Sequence, residues 1–225
     1  MDHKVTFVFT LTAISLISFY VDCRNTIKYC DSYKDIYKAY HSCAIFSMYN
    51  TSSRNTMLFD KEVIYRQDLV ELLNYWCSIL DAASSCTSGK ALRCNNRAEI
   101  SMLVSKTGGA CKNGHLNEEY QQRLPASFRY DTNCVSQAFD ITEKCEDETQ
   151  NIGYDVDIVD GVKEMESTVE QLLKCNAQSL RSSSNTCVSS EDSILLLTLR
   201  ALTFSVPHAL GVDLPISTVL EIVGL

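Results

Sequence analysis

Apolar positions recur at three- and four-residue steps along most of the chain, and sustained two-residue alternation is absent, which predicts helices and not a sheet. The first stretch is 28–48, KYCDSYKDIYKAYHSCAIFSM, where Cys30, Tyr33, Tyr37, Tyr40 and Ala44 fall on one stripe. A second helix is expected over 61–86 with Asp60 as its N-cap, and Ile64, Leu69, Leu72, Leu73, Trp76, Leu80 and Ala83 along one face. A third, 97–106, stops at Gly108-Gly109. A weak helical piece covers 116–123, and Pro125 opens a helix running to 149. The pattern repeats over 157–181 with Val159, Val162, Met165, Val169, Leu172, Leu173 and Leu180. Ser189-Ser190-Glu191-Asp192 then reads as an N-cap with acids at the positive end of a further helix.

That helix begins ILLLTLRALTFSV, 194–206, apolar on nearly every side, and Pro207 stops it. A helix without a polar face is expected at the centre of a bundle. Two other fates fit such a run: a peripheral membrane or partner-binding surface, and a cleaved glycolipid-anchor signal. Arg200, His208, Asp213 and Glu221 scatter charge through 194–225, which argues against an anchor signal and leaves burial as the expectation. The fold expectation is an all-α, disulfide-stapled bundle of five to seven helices. Residues 24–206 make a single cysteine-rich domain, and the apolar tail 207–225 packs on it.

The N-terminus follows another logic. After MDHK come sixteen residues, 5–20, of which eleven are apolar and none charged, followed by Val21-Asp22-Cys23. A charged start, a short apolar run and small residues at the end describe a secretory signal peptide over 1–23. A bilayer-spanning helix needs about 20 apolar residues, so no integral span is expected in the mature chain. The eleven cysteines then resolve into one in the leader, Cys23, and ten in the domain: Cys30, Cys43, Cys77, Cys86, Cys94, Cys111, Cys134, Cys145, Cys175 and Cys187. An even set in an oxidising compartment implies a closed disulfide framework, although ten cysteines allow on the order of a thousand connectivities. The absence of any Cys-x-x-Cys pair argues against zinc and thioredoxin-type chemistry. The sequon Asn50-Thr51-Ser52 marks an expected glycosylation site at Asn50.

The net charge of −8 becomes −7 once Asp2, Lys4 and Asp22 leave with the leader. Nucleic acid and anionic membranes both reward clustered Lys and Arg, so neither is an expected partner. Catalytic signatures are missing: the chain has no GxSxG, no HExxH and no phosphate-cradling glycine loop. Of His41, His115 and His208, none shares a sequence context with a second catalytic group, so surface or packing roles are expected. Asp155, Asp157 and Asp160 precede Gly161, one residue too late for an EF-hand, and read as an acidic helix start. The close first cysteine pair of saposin-like lipid binders is also absent. The expected function is therefore a secreted, non-catalytic interaction protein that binds another extracellular protein or a cell surface, without cofactor or metal. The alternative is an extracellular carrier of a small apolar ligand or lipid, motivated by the many Leu, Ile, Tyr and Phe residues on stacked helices.

Overall fold

A computed structural model describes residues 27–51, 61–106, 109–149, 156–202 and 210–225. Its backbone is two long helical hairpins wrapped around a short apolar helix. The first hairpin pairs α1 (Tyr33–Thr51) with α2 (Arg66–Lys90). Tyr33, Ile36, Tyr40, Cys43, Ala44 and Ser47 make the buried stripe of α1, and Leu69, Leu72, Leu73, Cys77, Leu80, Ala83 and Thr87 that of α2. Ser47 and Thr87 are tolerated there because each hydroxyl donates to the carbonyl four residues back, to Cys43 and Ala83. The second hairpin pairs α5 (Val135–Thr149) with α6 (Ile158–Arg181).

Between them stand α3 (Arg97–Ser105), the strand pair β2 (Cys111–Lys112) and β3 (His115–Leu116), and the short α4 (Glu118–Arg123). Asn117 caps α4, its side chain accepting the Glu119 N–H at 3.2 Å. The turn from β2 to β3 is Asn113-Gly114, with φ values of 50° and 76°. Two consecutive positive φ angles suit a tight hairpin turn, which is why this dipeptide stands here. The central helix α7 (Glu191–Arg200) buries every residue from Ser193 to Leu199, as an all-round apolar helix must. Ser190 caps it, accepting the Ser193 N–H at 3.2 Å. Last comes α8 (Ile216–Val223), which packs on α6 and ends at Gly224 in the left-handed conformation.

The mostly helical class and the staples stand as expected, and eight α-helices are present among the described residues, one more than the upper end of the expected five to seven. Several boundaries differ. The second helix starts at Arg66 and not at 61, because Val63–Tyr65 forms β1, paired antiparallel with β4 (Arg129–Asp131); Asp60 lies outside the described residues. Ile64 sits opposite Tyr130, and both are buried, so a partner 66 residues away decides the local conformation. The helix start is fixed by Asp68, whose carboxylate accepts the Tyr65 N–H at 2.9 Å and pairs with Lys61. At its other end the helix runs through Gly89 to Lys90. Pro125 opens no helix: β4 and a single 3-10 turn, Thr132–Cys134, intervene before α5. On α6, Val159 is 64% exposed and leaves the apolar stripe to its neighbours.

Residues 210–225 pack against the rest of the chain, and 203–209 lie outside the described residues. Leu210, Val212, Leu214, Ile216, Val219 and Val223 are buried. Tyr33 Oη donates to the Leu210 carbonyl at 3.0 Å, and Tyr120 Oη to the Leu214 carbonyl at 2.7 Å. Burial, with Asp213 and Glu119 nearby, pushes the Tyr120 phenol well above its ordinary range, so it remains a donor. The Gly211 N–H donates to the carbonyls of Leu103 and Lys106, at 3.1 and 2.8 Å. Arg181 clamps the chain end through the carbonyls of Val223 and Gly224.

Helices α1 and α6 approach each other closely at Gly161. A Cβ on Gly161 would stand 2.3 Å from the Tyr33 ring, which occupies the space a side chain would fill. Gly161→Ala is therefore expected to destabilise the fold by about 1–3 kcal/mol through overpacking. Gly89→Ala serves as its control: a Cβ there meets nothing within 4 Å, and the change is expected to stabilise the helix by up to about 1 kcal/mol. Urea unfolding of both variants reads the contrast, and equal midpoints would show that the Tyr33 ring is not seated on Gly161.

Candidate functional site

The ten domain cysteines pair as Cys30–Cys94, Cys43–Cys86, Cys77–Cys111, Cys134–Cys187 and Cys145–Cys175, with Cα separations between 5.3 and 6.2 Å. Cys43–Cys86 locks α1 to α2, and Cys145–Cys175 locks α5 to α6. Cys30–Cys94 is different, because it fastens the segment leading into α1 to the connection between α2 and α3. Its two sulfur-bearing residues line an open cleft of about 870 Å³.

The cleft has three walls. One is Lys28–Ser32 with Lys34, Asp35 and Lys38 from the first turns of α1, the second is Arg93–Asn96, and the third is Val156-Asp157 at the start of α6. The walls are tied to one another by short bonds. The Tyr33 N–H donates to the Val156 carbonyl at 3.3 Å, and Ser32 bridges Asp157 in antiparallel fashion. Asn96 Nδ2 donates to the Cys30 carbonyl at 3.0 Å and to Asp31 at 3.3 Å. These two donations fix which amide atom is nitrogen, and they leave Asn96 Oδ1 buried with no hydrogen-bond partner.

Four cations, Lys28, Lys34, Lys38 and Arg93, face three acids, Asp31, Asp35 and Asp157. Two of the acids are already engaged. Asp157 caps α6, accepting the N–H groups of Val159 at 2.9 Å and Asp160 at 3.0 Å, while Asp31 accepts from Asn96. Lys28 sits over the Tyr29 ring, 5.0 Å from its centroid, and Tyr29 is 59% exposed. A chain of net charge −8 thus presents a locally basic cleft with an aromatic at its edge.

The residues singled out by sequence lie elsewhere. His41 is half-buried on α1, stacked on Tyr37 with ring centroids 6.3 Å apart, and His115 is exposed on β3; neither lines the cleft. His208 and Asp155 lie outside the described residues. Asp157 is an N-cap and Asp160 an exposed partner of Lys163 at 3.6 Å, so the aspartates work as an acidic helix start, and Gly161 is required by the Tyr33 ring. Among the described residues, no group of three or more His, Cys, Asp or Glu is placed to hold a metal ion. Asn50 stands in the last turn of α1, and Ser52 of its sequon lies outside the described residues. The cleft itself left one faint trace in the sequence: Lys34 and Lys38 fall one helical turn apart on α1. Arg93 joins them only through the Cys30–Cys94 bridge, and that pairing is not legible from spacing.

Burial holds His41 below its ordinary value of 6.5. The unfolded chain therefore binds a proton that the folded chain resists, and stability is expected to fall as pH drops below about 6.5. Denaturant unfolding between pH 7.5 and 5.5 reads the slope, and His41→Gln is expected to remove this residue's share of it. An unchanged slope in that variant would contradict the burial effect.

No protein-family model matches the chain, and no curated protein or solved structure shows significant similarity to it.

Proposed function

We propose that the chain is a secreted, non-catalytic interaction protein, glycosylated at Asn50, that binds an extracellular protein or a cell surface through the basic cleft at the Cys30–Cys94 bridge. The observation that carries this reading is the cleft's construction. A disulfide, an interstrand bridge and the Asn96 amide hold its three walls in one geometry, and the polar groups along them point to recognition of a polar surface. A pre-organised face loses little side-chain and backbone freedom on binding, which favours affinity. Five disulfides, and the lack among the described residues of any helix long and apolar enough to cross a membrane, suit life outside the cell. Tyr29 and Arg93 are of the residue types that dominate interface energetics. The charged and amide lining suits a protein surface better than it suits a free apolar ligand, the cargo a carrier would need.

The test is binding of labelled protein to intact cells and to immobilised extracellular proteins from the same source. Saturable binding is expected, weakened about tenfold or more by Tyr29→Ala combined with Arg93→Glu and unchanged by Lys174→Glu, an exposed residue of α6 that does not line the cleft. Equal binding by both variants would overturn the assignment to the cleft. An apolar compound released from natively purified protein by organic extraction would favour the carrier instead.

A further inference from the structure

We propose that the cleft's ligand is an acidic peptide segment of the partner protein, an inference that rests on the binding reading above. Three features of the cleft converge on it. Its four cations outnumber its three acids, and Asp157 and Asp31 are held by hydrogen bonds to the α6 N-terminus and Asn96, so the cleft keeps a cationic excess in which Lys28, Lys38 and Arg93 stand. Among the described residues, Lys28, Lys38 and Arg93 make no ion pair. Carboxylates supplied by a ligand are their natural counter-charges.

The second feature is the acceptor groups along the walls, the carboxylates of Asp31 and Asp35 among them. A peptide brings a backbone N–H with every residue, so it supplies donors and carboxylates from one molecule. The third feature is the interleaving of Asp31 and Asp35 among the cations. A polyanion of high and uniform charge density, such as a sulfated glycan, would be repelled by those carboxylates over a fraction of its length. A peptide with spaced acidic side chains places its charges only where the cations stand. Tyr29, exposed and stiffened by the Lys28 ammonium over its ring, offers a flat apolar surface for the peptide backbone or an apolar side chain.

The experiment is fluorescence anisotropy of a labelled ten-residue peptide with glutamate at alternate positions, titrated with the disulfide-intact protein. Its controls are the same peptide with glutamine for glutamate and a heparin oligosaccharide. The glutamate peptide is expected to bind, more weakly as salt rises, and to lose about tenfold or more in affinity with Lys38→Glu combined with Arg93→Glu. Lys38→Gln combined with Arg93→Gln is expected to give a smaller loss in the same direction. Glutamine-peptide binding of equal strength, or binding of heparin alone, would overturn the inference. Loss of cell-surface binding by the Tyr29→Ala, Arg93→Glu variant, with no glutamate-peptide binding at all, would sink the acidic-peptide ligand while sparing the binding function. If neither assay responds to any cleft variant, both proposals fall together.

Discussion

The Tyr33 ring lies where the side chain of any residue other than glycine at position 161 would stand, and this seat decides how the two helical hairpins meet. The disulfides do not make that decision. Three of them close within residues 30–111 and the other two within 134–187, so no bridge joins one hairpin to the other. Each bridge contributes about 2–4 kcal/mol by constraining the unfolded chain, yet the junction itself is held by packing and hydrogen bonds. Tyr33 supplies both, its ring against α6 and its hydroxyl on the Leu210 carbonyl. The β1–β4 pairing and the Tyr120 bond to Leu214 close the same seam from other directions. The C-terminal segment therefore works as a strap over the junction, which explains why so apolar a stretch ends buried.

The cleft inherits its geometry from this seam. Tyr33 begins α1 one residue after Ser32, and its N–H reaches Val156 just ahead of α6, so seating the ring draws the first wall of the cleft against the third. The Cys30–Cys94 bridge brings in the second wall and with it Arg93 and Asn96. A cationic cleft on an acidic chain is thus a consequence of how the hairpins dock. At physiological ionic strength charges are screened over about 8 Å, so the local excess of Lys and Arg governs what approaches this face, while the overall negative charge governs solubility and long-range repulsion.

Elements whose stability is carried by their own residues were legible in the sequence. Most of the stripes of α1, α2 and α6, the Ser190 cap and the burial of 194–199 follow from periodicity, capping chemistry and the lack of a polar face, while Tyr37 and Trp76, expected on the stripes, are half-buried. Elements decided by distant partners were not. Val63-Ile64-Tyr65 continues a helical pattern and becomes a strand because Tyr130 lies opposite Ile64. Val159 holds a periodic position and is left exposed at the first turn of α6. The Asn113-Gly114 hairpin did carry its own signal, a dipeptide suited to consecutive positive φ angles, between the helical stretches expected on either side. The cleft was illegible for a combinatorial reason: its lysines sit on α1, and Arg93 reaches them through one pairing among on the order of a thousand.

The connectivity on which the cleft stands is open to direct determination. Proteolysis of the native protein under non-reducing, thiol-blocked conditions, followed by mass spectrometry of the linked peptides, reads every bridge. The structure requires a Cys30–Cys94 peptide and no link between residues 30–111 and residues 134–187. A bridge from Cys30 or Cys94 to any other cysteine, or any link crossing between those two segments, would contradict both the cleft and the uncrosslinked seam beneath it.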